Sequence, residues 1–97
     1  MAPGYVIAQI RVTDAETYPS YVALVQAIVD KFGGEFLVRG GRNESHEGSP
    51  HGDRHVVIRF PSYQAARDWY HSADYAEVKA LRMSASSSVQ TIVEGVE

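Results

Sequence analysis

The sequence predicts an α+β domain of the ferredoxin-like type, a βαββαβ chain that folds into a four-stranded antiparallel sheet with its helices on one face. Three observations carry that prediction. A short strand-like run, Glu35 to Arg39, is closed by glycine pairs at Gly33-Gly34 and Gly40-Gly41. A second alternating run, Arg54 to Phe60, follows with no helical pattern between them. Amphipathic helical stretches flank that pair, and one more strand signal stands near each end of the chain. Right-handed crossovers then set the spatial order 4-1-3-2.

The first strand spans Tyr5 to Val12, with Val6, Ala8, Ile10 and Val12 on an apolar face and Tyr5, Ile7, Gln9 and Arg11 on a mixed one. Thr13-x-x-Glu16 matches a capping box, which predicts that Thr13 opens the first helix. Its buried stripe is Tyr21, Val25, Ile28 and Phe32, beside Val22 and Val29. Pro19 predicts either a kink in the first turn or a helix that begins near it. Gly33 suits the left-handed position just past the helix end.

Strand two is Glu35 to Arg39, with a resumption at Arg42 to Glu44 expected after the glycine kink. Ser45 to Asp53 is polar, punctuated by Gly and Pro, and too long for a tight hairpin. Strand three sets Val56, Ile58 and Phe60 against His55, Val57 and Arg59. Ser62 is a suitable N-cap for a helix that carries Ala66, Trp69 and Tyr70, and Ser72 caps a further helical stretch to Met83. Ala85 to Ser88 reads as a flexible connector, and Val89 to Val93 as strand four.

At 97 residues the chain makes one domain, 1–97, of a size that gains from oligomerisation. With 44% hydrophobic and 22% charged residues it is ordinary for a globular protein. A net charge of −3 with nine scattered basic residues argues against nucleic acid as a partner. The absence of cysteine excludes disulfides, thiolate catalysis and iron–sulfur ligation. No leader or membrane-length apolar run is visible, so a cytoplasmic location without membrane association is expected.

Gly4-Tyr5-Val-Ile-Ala8, Gly34 with Phe36-Leu-Val-Arg-Gly-Gly41, Glu47-Gly48, Arg54 with Phe60-Pro-Ser62, Ala65-Ala-Arg-x-Trp-Tyr-x-Ser72, Tyr75 and Leu81-Arg82 stand in an order and spacing that resembles the family called domain of unknown function 1330. The resemblance runs from Gly4 to Gly95, and departs from the family pattern at Asn43, Ser45, His46 and Pro50. It implies a dimeric α/β barrel, in which two sheets pack face to face in a homodimer. That superfamily holds cofactor-independent monooxygenases, lactone isomerases and haem-degrading enzymes, so the resemblance implies no single reaction.

Arg39 lies directly before two glycines that permit close backbone approach, where its guanidinium fork suits a carboxylate or enolate. The competing role is a salt bridge to Glu44 or Glu47. Tyr18, Tyr21, Trp69 and Tyr75 are candidates for a ligand-binding wall between helices and sheet, although aromatics at helical spacing also serve as core. His46, His51 and His55 stand near Glu44, Glu47 and Asp53, but no metal-site spacing frames them, and a solvated loop accounts for them. No nucleophile elbow or phosphate-binding glycine loop is present. The expected protein is a homodimer that binds a small aromatic or carboxylate-bearing metabolite without a cofactor. Any acid/base conversion would have Arg39 orienting the anion and Glu44 or Glu47 moving the proton. The rival is a non-catalytic dimeric binding or accessory module.

Overall fold

A computed structural model describes residues 1–97. Its elements are β1 (Gly4–Val12), α1 (Tyr18–Lys31), β2 (Glu35–Arg39), β3 (Arg54–Phe60), α2 (Tyr63–Tyr70), α3 (Ala73–Ala85) and β4 (Ser86–Glu94). The sheet runs β2-β3-β1-β4, every neighbouring pair antiparallel, which is the expected ferredoxin-like order. No helix is long and apolar enough to cross a membrane.

Strict alternation places the core. Val6, Ala8 and Ile10 of β1 and Val56, Ile58 and Phe60 of β3 are buried toward the helices, where they meet Val25 and Val29 of α1 and Trp69 of α2. The aromatic part is continuous: Trp69 stacks on Tyr75 at 4.2 Å between ring centres and tilts against Phe60 at 5.4 Å. The opposite sheet face carries no helix, and its apolar side chains are open, with Ile7 45%, Leu37 49% and Val89 52% exposed.

Ser62 and Ser72 cap α2 and α3 as their spacing predicts, each accepting a first-turn N–H. Gly33 ends α1 with φ 78°. Three expectations are corrected. Thr13 does not cap α1. Asp14 holds the turn instead, its carboxylate accepting from Glu16 N, Thr17 N and Thr17 Oγ1, and the helix begins at Tyr18 with Pro19 in its first turn, where a missing N–H costs nothing. Strand two does not resume at Arg42 to Glu44, because Gly40 turns the chain away at φ 72°. Nor is Ala85 to Ser88 a linker: α3 runs directly into β4, and Ser86, Ser87 and Ser88 pair with Val12, Arg11 and Ile10. Their hydroxyls are engaged, Ser86 donating to the Arg82 carbonyl and Ser88 accepting from the Arg82 guanidinium, so a polar triplet sits in a strand without orphaned groups.

Candidate functional site

β2 departs from simple alternation in a way that builds the site. Phe36 pairs with Ile58, but the register shifts before Val38 pairs with Val57 and Arg39 with Val56. This β-bulge inserts one residue at Leu37, so Leu37 and Val38 are both exposed while Phe36 and Arg39 share the helix-facing side. Arg39 lies over the Phe36 ring at 4.2 Å. Its guanidinium donates to Gln26 Oε1 at 2.8 Å and to the Val22 carbonyl at 2.9 Å, which ties the end of β2 to α1.

A cavity lies beneath that tie, between α1 and the sheet. Its walls are mainly apolar, among them Val6, Ala8, Val25 and Ile58, and its polar residues are Arg39, Arg54, Tyr18, Tyr21, Trp69 and Gln90. The space open to the centre of a water molecule is about 20 Å³, room for roughly one water. Arg54 reaches this cavity from the first position of β3, its guanidinium 5.4 Å from the Tyr18 ring centre. Gly40 makes the approach possible, because a Cβ there would collide with Arg54 Nη1.

Neither Arg39 nor Arg54 pairs with a carboxylate; the ion pairs of the chain are Met1–Glu97, Lys31–Asp74 and His46–Glu44. Arg54 Nε, Trp69 Nε1 and Gln90 Oε1 are buried without hydrogen-bond partners. Such atoms are rare in folded proteins, and here three belong to residues lining one cavity.

The structure therefore brings together Arg39, Tyr18, Tyr21 and Trp69. Tyr75 stands behind the wall, its hydroxyl 2.8 Å from that of Tyr21. Glu44 and Glu47 lie in the exposed 41–53 loop, away from the cavity, and Glu44 pairs with His46. The loop histidines are dispersed as well. His51 Nε2 sits 2.8 Å from Ser87 Oγ, and His55 pairs across the open sheet face with Gln9. No group of three or more His, Asp and Glu side chains is arranged to hold a metal ion.

The Tyr21–Tyr75 pair has a buried cation beside it, since Arg82 is 2% exposed and faces no acid. Burial pushes both tyrosines above their ordinary value of 10.0, and the Tyr75 neighbour adds to this for Tyr21, while the Arg82 charge opposes it at both. The hydroxyls thus stay protonated where unfolded tyrosines ionise. Above about pH 10 the unfolded chain binds fewer protons than the folded one, so stability falls as pH rises. Tyr21→Phe should reduce that downward slope by about 1 kcal/mol per pH unit in urea unfolding series between about pH 10 and 11, where the unfolded tyrosine goes from half to mostly ionised. An unchanged slope would show that Tyr21 ionises freely in the folded chain.

Arg54, read from the sequence only as part of the family resemblance, and Gln90 were not among the expected site residues, for different reasons. Arg54 shares the parity of Val56, Ile58 and Phe60, and that period alone would have pointed it at the helices. Gln90 carries no such signal. In β4 the valines at 89 and 93 face outward and Gln90 inward, the reverse of what hydrophobicity suggests.

Comparison with known proteins came to the same fold. The sequence model of a family described as Domain of unknown function (DUF1330) matches residues 3–96. Among curated proteins, none matches. A Rhodopseudomonas palustris protein of unknown function superposes with a TM-score of 0.80 at 18% identity, covering 99% of this chain and 84% of its own. SnoaB, a cofactor-independent oxygenase from Streptomyces nogalater, gives 0.68 at 14% identity over 100% and 96%. A putative antibiotic biosynthesis monooxygenase from Caulobacter crescentus CB15 gives 0.68 at 18% over 99% and 92%. At these identities the likeness to the solved structures is one of fold.

Proposed function

The chain belongs to the DUF1330 family, and we propose that it binds a small aromatic carboxylate in the cavity between α1 and the sheet, anchored by Arg39 and Arg54. One observation carries this reading: two guanidinium groups border an apolar cavity and the chain supplies no carboxylate to either. A bidentate anion offers what both lack. The apolar walls suit a ring, and Tyr21, held protonated by burial, serves as a donor rather than a base.

The unliganded cavity is much smaller than the few hundred Å³ typical of ligand pockets, so binding involves movement. The Arg39 bonds to Gln26 and Val22 are the latch that must yield, and a ligand carboxylate competes directly for the same guanidinium. No carboxylate or imidazole lines the cavity, which favours binding over proton abstraction there.

The test is calorimetric titration with benzoate-type acids chosen by thermal-shift screening. Arg54→Met and Arg39→Lys should each weaken binding by about 1–3 kcal/mol, since a charge-assisted bond or its fork geometry is lost. Affinity unchanged in both variants would sink the anion site. Because SnoaB is a cofactor-independent oxygenase of the same fold, each hit should also be incubated in air with an oxygen electrode. Steady oxygen uptake would make the chain an enzyme rather than a binding module.

We also propose that the protein is a homodimer through its open sheet face, where Ile7, Leu37, Val38, Val89 and Val93 are exposed together. Two such faces packed together fall in the range of ~1,200 Å² or more buried by specific interfaces.

A further inference from the structure

The arginines account for one end of a ligand; the orphaned atoms of Trp69 and Gln90 describe another part of it. Indole Nε1–H can only donate, and an amide oxygen can only accept. The first comes from the helix layer, on α2, and the second from the sheet, on β4, and both residues line the cavity. Trp69 is 1% exposed, and neither atom has a partner within the chain. The group that completes both must accept one hydrogen bond and donate another. A carboxylate or ether oxygen accepts only, an ammonium donates only, and a methyl does neither. A hydroxyl does both from one atom, and it suits a cavity with room for about one water.

Building on the carboxylate reading above, we propose that the ligand is a hydroxylated aromatic acid whose carboxylate meets Arg39 and Arg54 and whose hydroxyl accepts from Trp69 Nε1 and donates to Gln90 Oε1. A site made to hydrogen-bond a hydroxyl rejects the analogue that lacks it, because the analogue leaves the buried donor and acceptor unpaired. The selectivity therefore resides in Trp69 and Gln90, whereas the arginines confer affinity for acids as a class.

The experiment compares the three hydroxybenzoates with their methylbenzoate counterparts, which keep the shape and lose the hydroxyl, by isothermal titration of the intact protein. At least one hydroxyl isomer should bind about tenfold or more tighter than its methyl partner, and the preference should fall to within about threefold in both Trp69→Phe and Gln90→Leu. Gln90→Leu is near-isosteric and removes an orphaned acceptor, and Trp69→Phe keeps an aromatic ring in the stack at the cost of a small void, so both variants should retain the native circular dichroism. Equal binding of hydroxyl and methyl partners overturns the hydroxyl assignment and leaves the carboxylate site standing. A preference that survives both substitutions also overturns it, by placing the hydroxyl elsewhere. Failure of every acid to bind removes the carboxylate site together with it.

Discussion

Replacing Trp69 with alanine should cost about 3–5 kcal/mol of folding stability, the scale seen when a large aromatic is removed from a close-packed interior. The ring is 1% exposed, stacked on Tyr75 and tilted against Phe60, Tyr70 being its third aromatic neighbour. A small domain has only about 5–15 kcal/mol to lose, so the variant should be partly unfolded or marginal at room temperature. Since Trp69 is the single tryptophan, urea unfolding must be followed by circular dichroism instead of fluorescence. Trp69→Phe keeps a ring in place and should cost much less. A loss under about 1 kcal/mol for the alanine variant would mean that this aromatic stack is not the anchor of the core.

Ile7→Glu should convert a particle of twice 10.7 kDa into one of 10.7 kDa without unfolding it. Ile7 is in the middle of β1, paired with Val57 on one side and Thr91 on the other, and is 45% exposed in the isolated chain. A glutamate there remains solvated in a monomer and costs little, within about 0.5 kcal/mol. In a face-to-face dimer each copy buries an unpaired carboxylate, and the penalty of about 3–5 kcal/mol for an uncompensated buried charge applies on both sides. Light scattering at micromolar concentration reads the outcome directly. A monomeric wild-type mass would end the dimer proposal.

Periodicity made most of the architecture legible. β1 and β3 alternate cleanly, α1 shows its stripe, and the serines at 62 and 72 cap the helices that their positions predict. What escaped was decided by pairing rather than by local pattern. The serine triplet at 86–88 has poor strand credentials, yet β1 extends far enough to offer it backbone partners, and Arg82 and His51 occupy its hydroxyls. Asp14, not Thr13, forms the turn before α1, because the carboxylate takes three donors where a hydroxyl takes fewer. Of the candidate site, Arg39 and the aromatic wall were legible from residue type and spacing. Arg39's bonds to α1 and the distance of Glu44 and Glu47 from the cavity depend on a bulge and a loop course that no local signal announced.

The bulge at Leu37 makes the role of Arg39 a matter of counting. Phe36 and Arg39 are three positions apart, so without the bulge the period of two would turn the guanidinium through the sheet, away from the cavity and into the surface offered to a second subunit. Deleting Leu37 would straighten the strand and leave the charge on the cavity side, whereas pairing Leu37 regularly in the ladder would move it from ligand to partner. In proteins that share this sheet, insertions and deletions along β2 have as much power to reassign function as substitutions do. An arginine in an aligned column need not do the same job in two relatives whose strands differ by one residue.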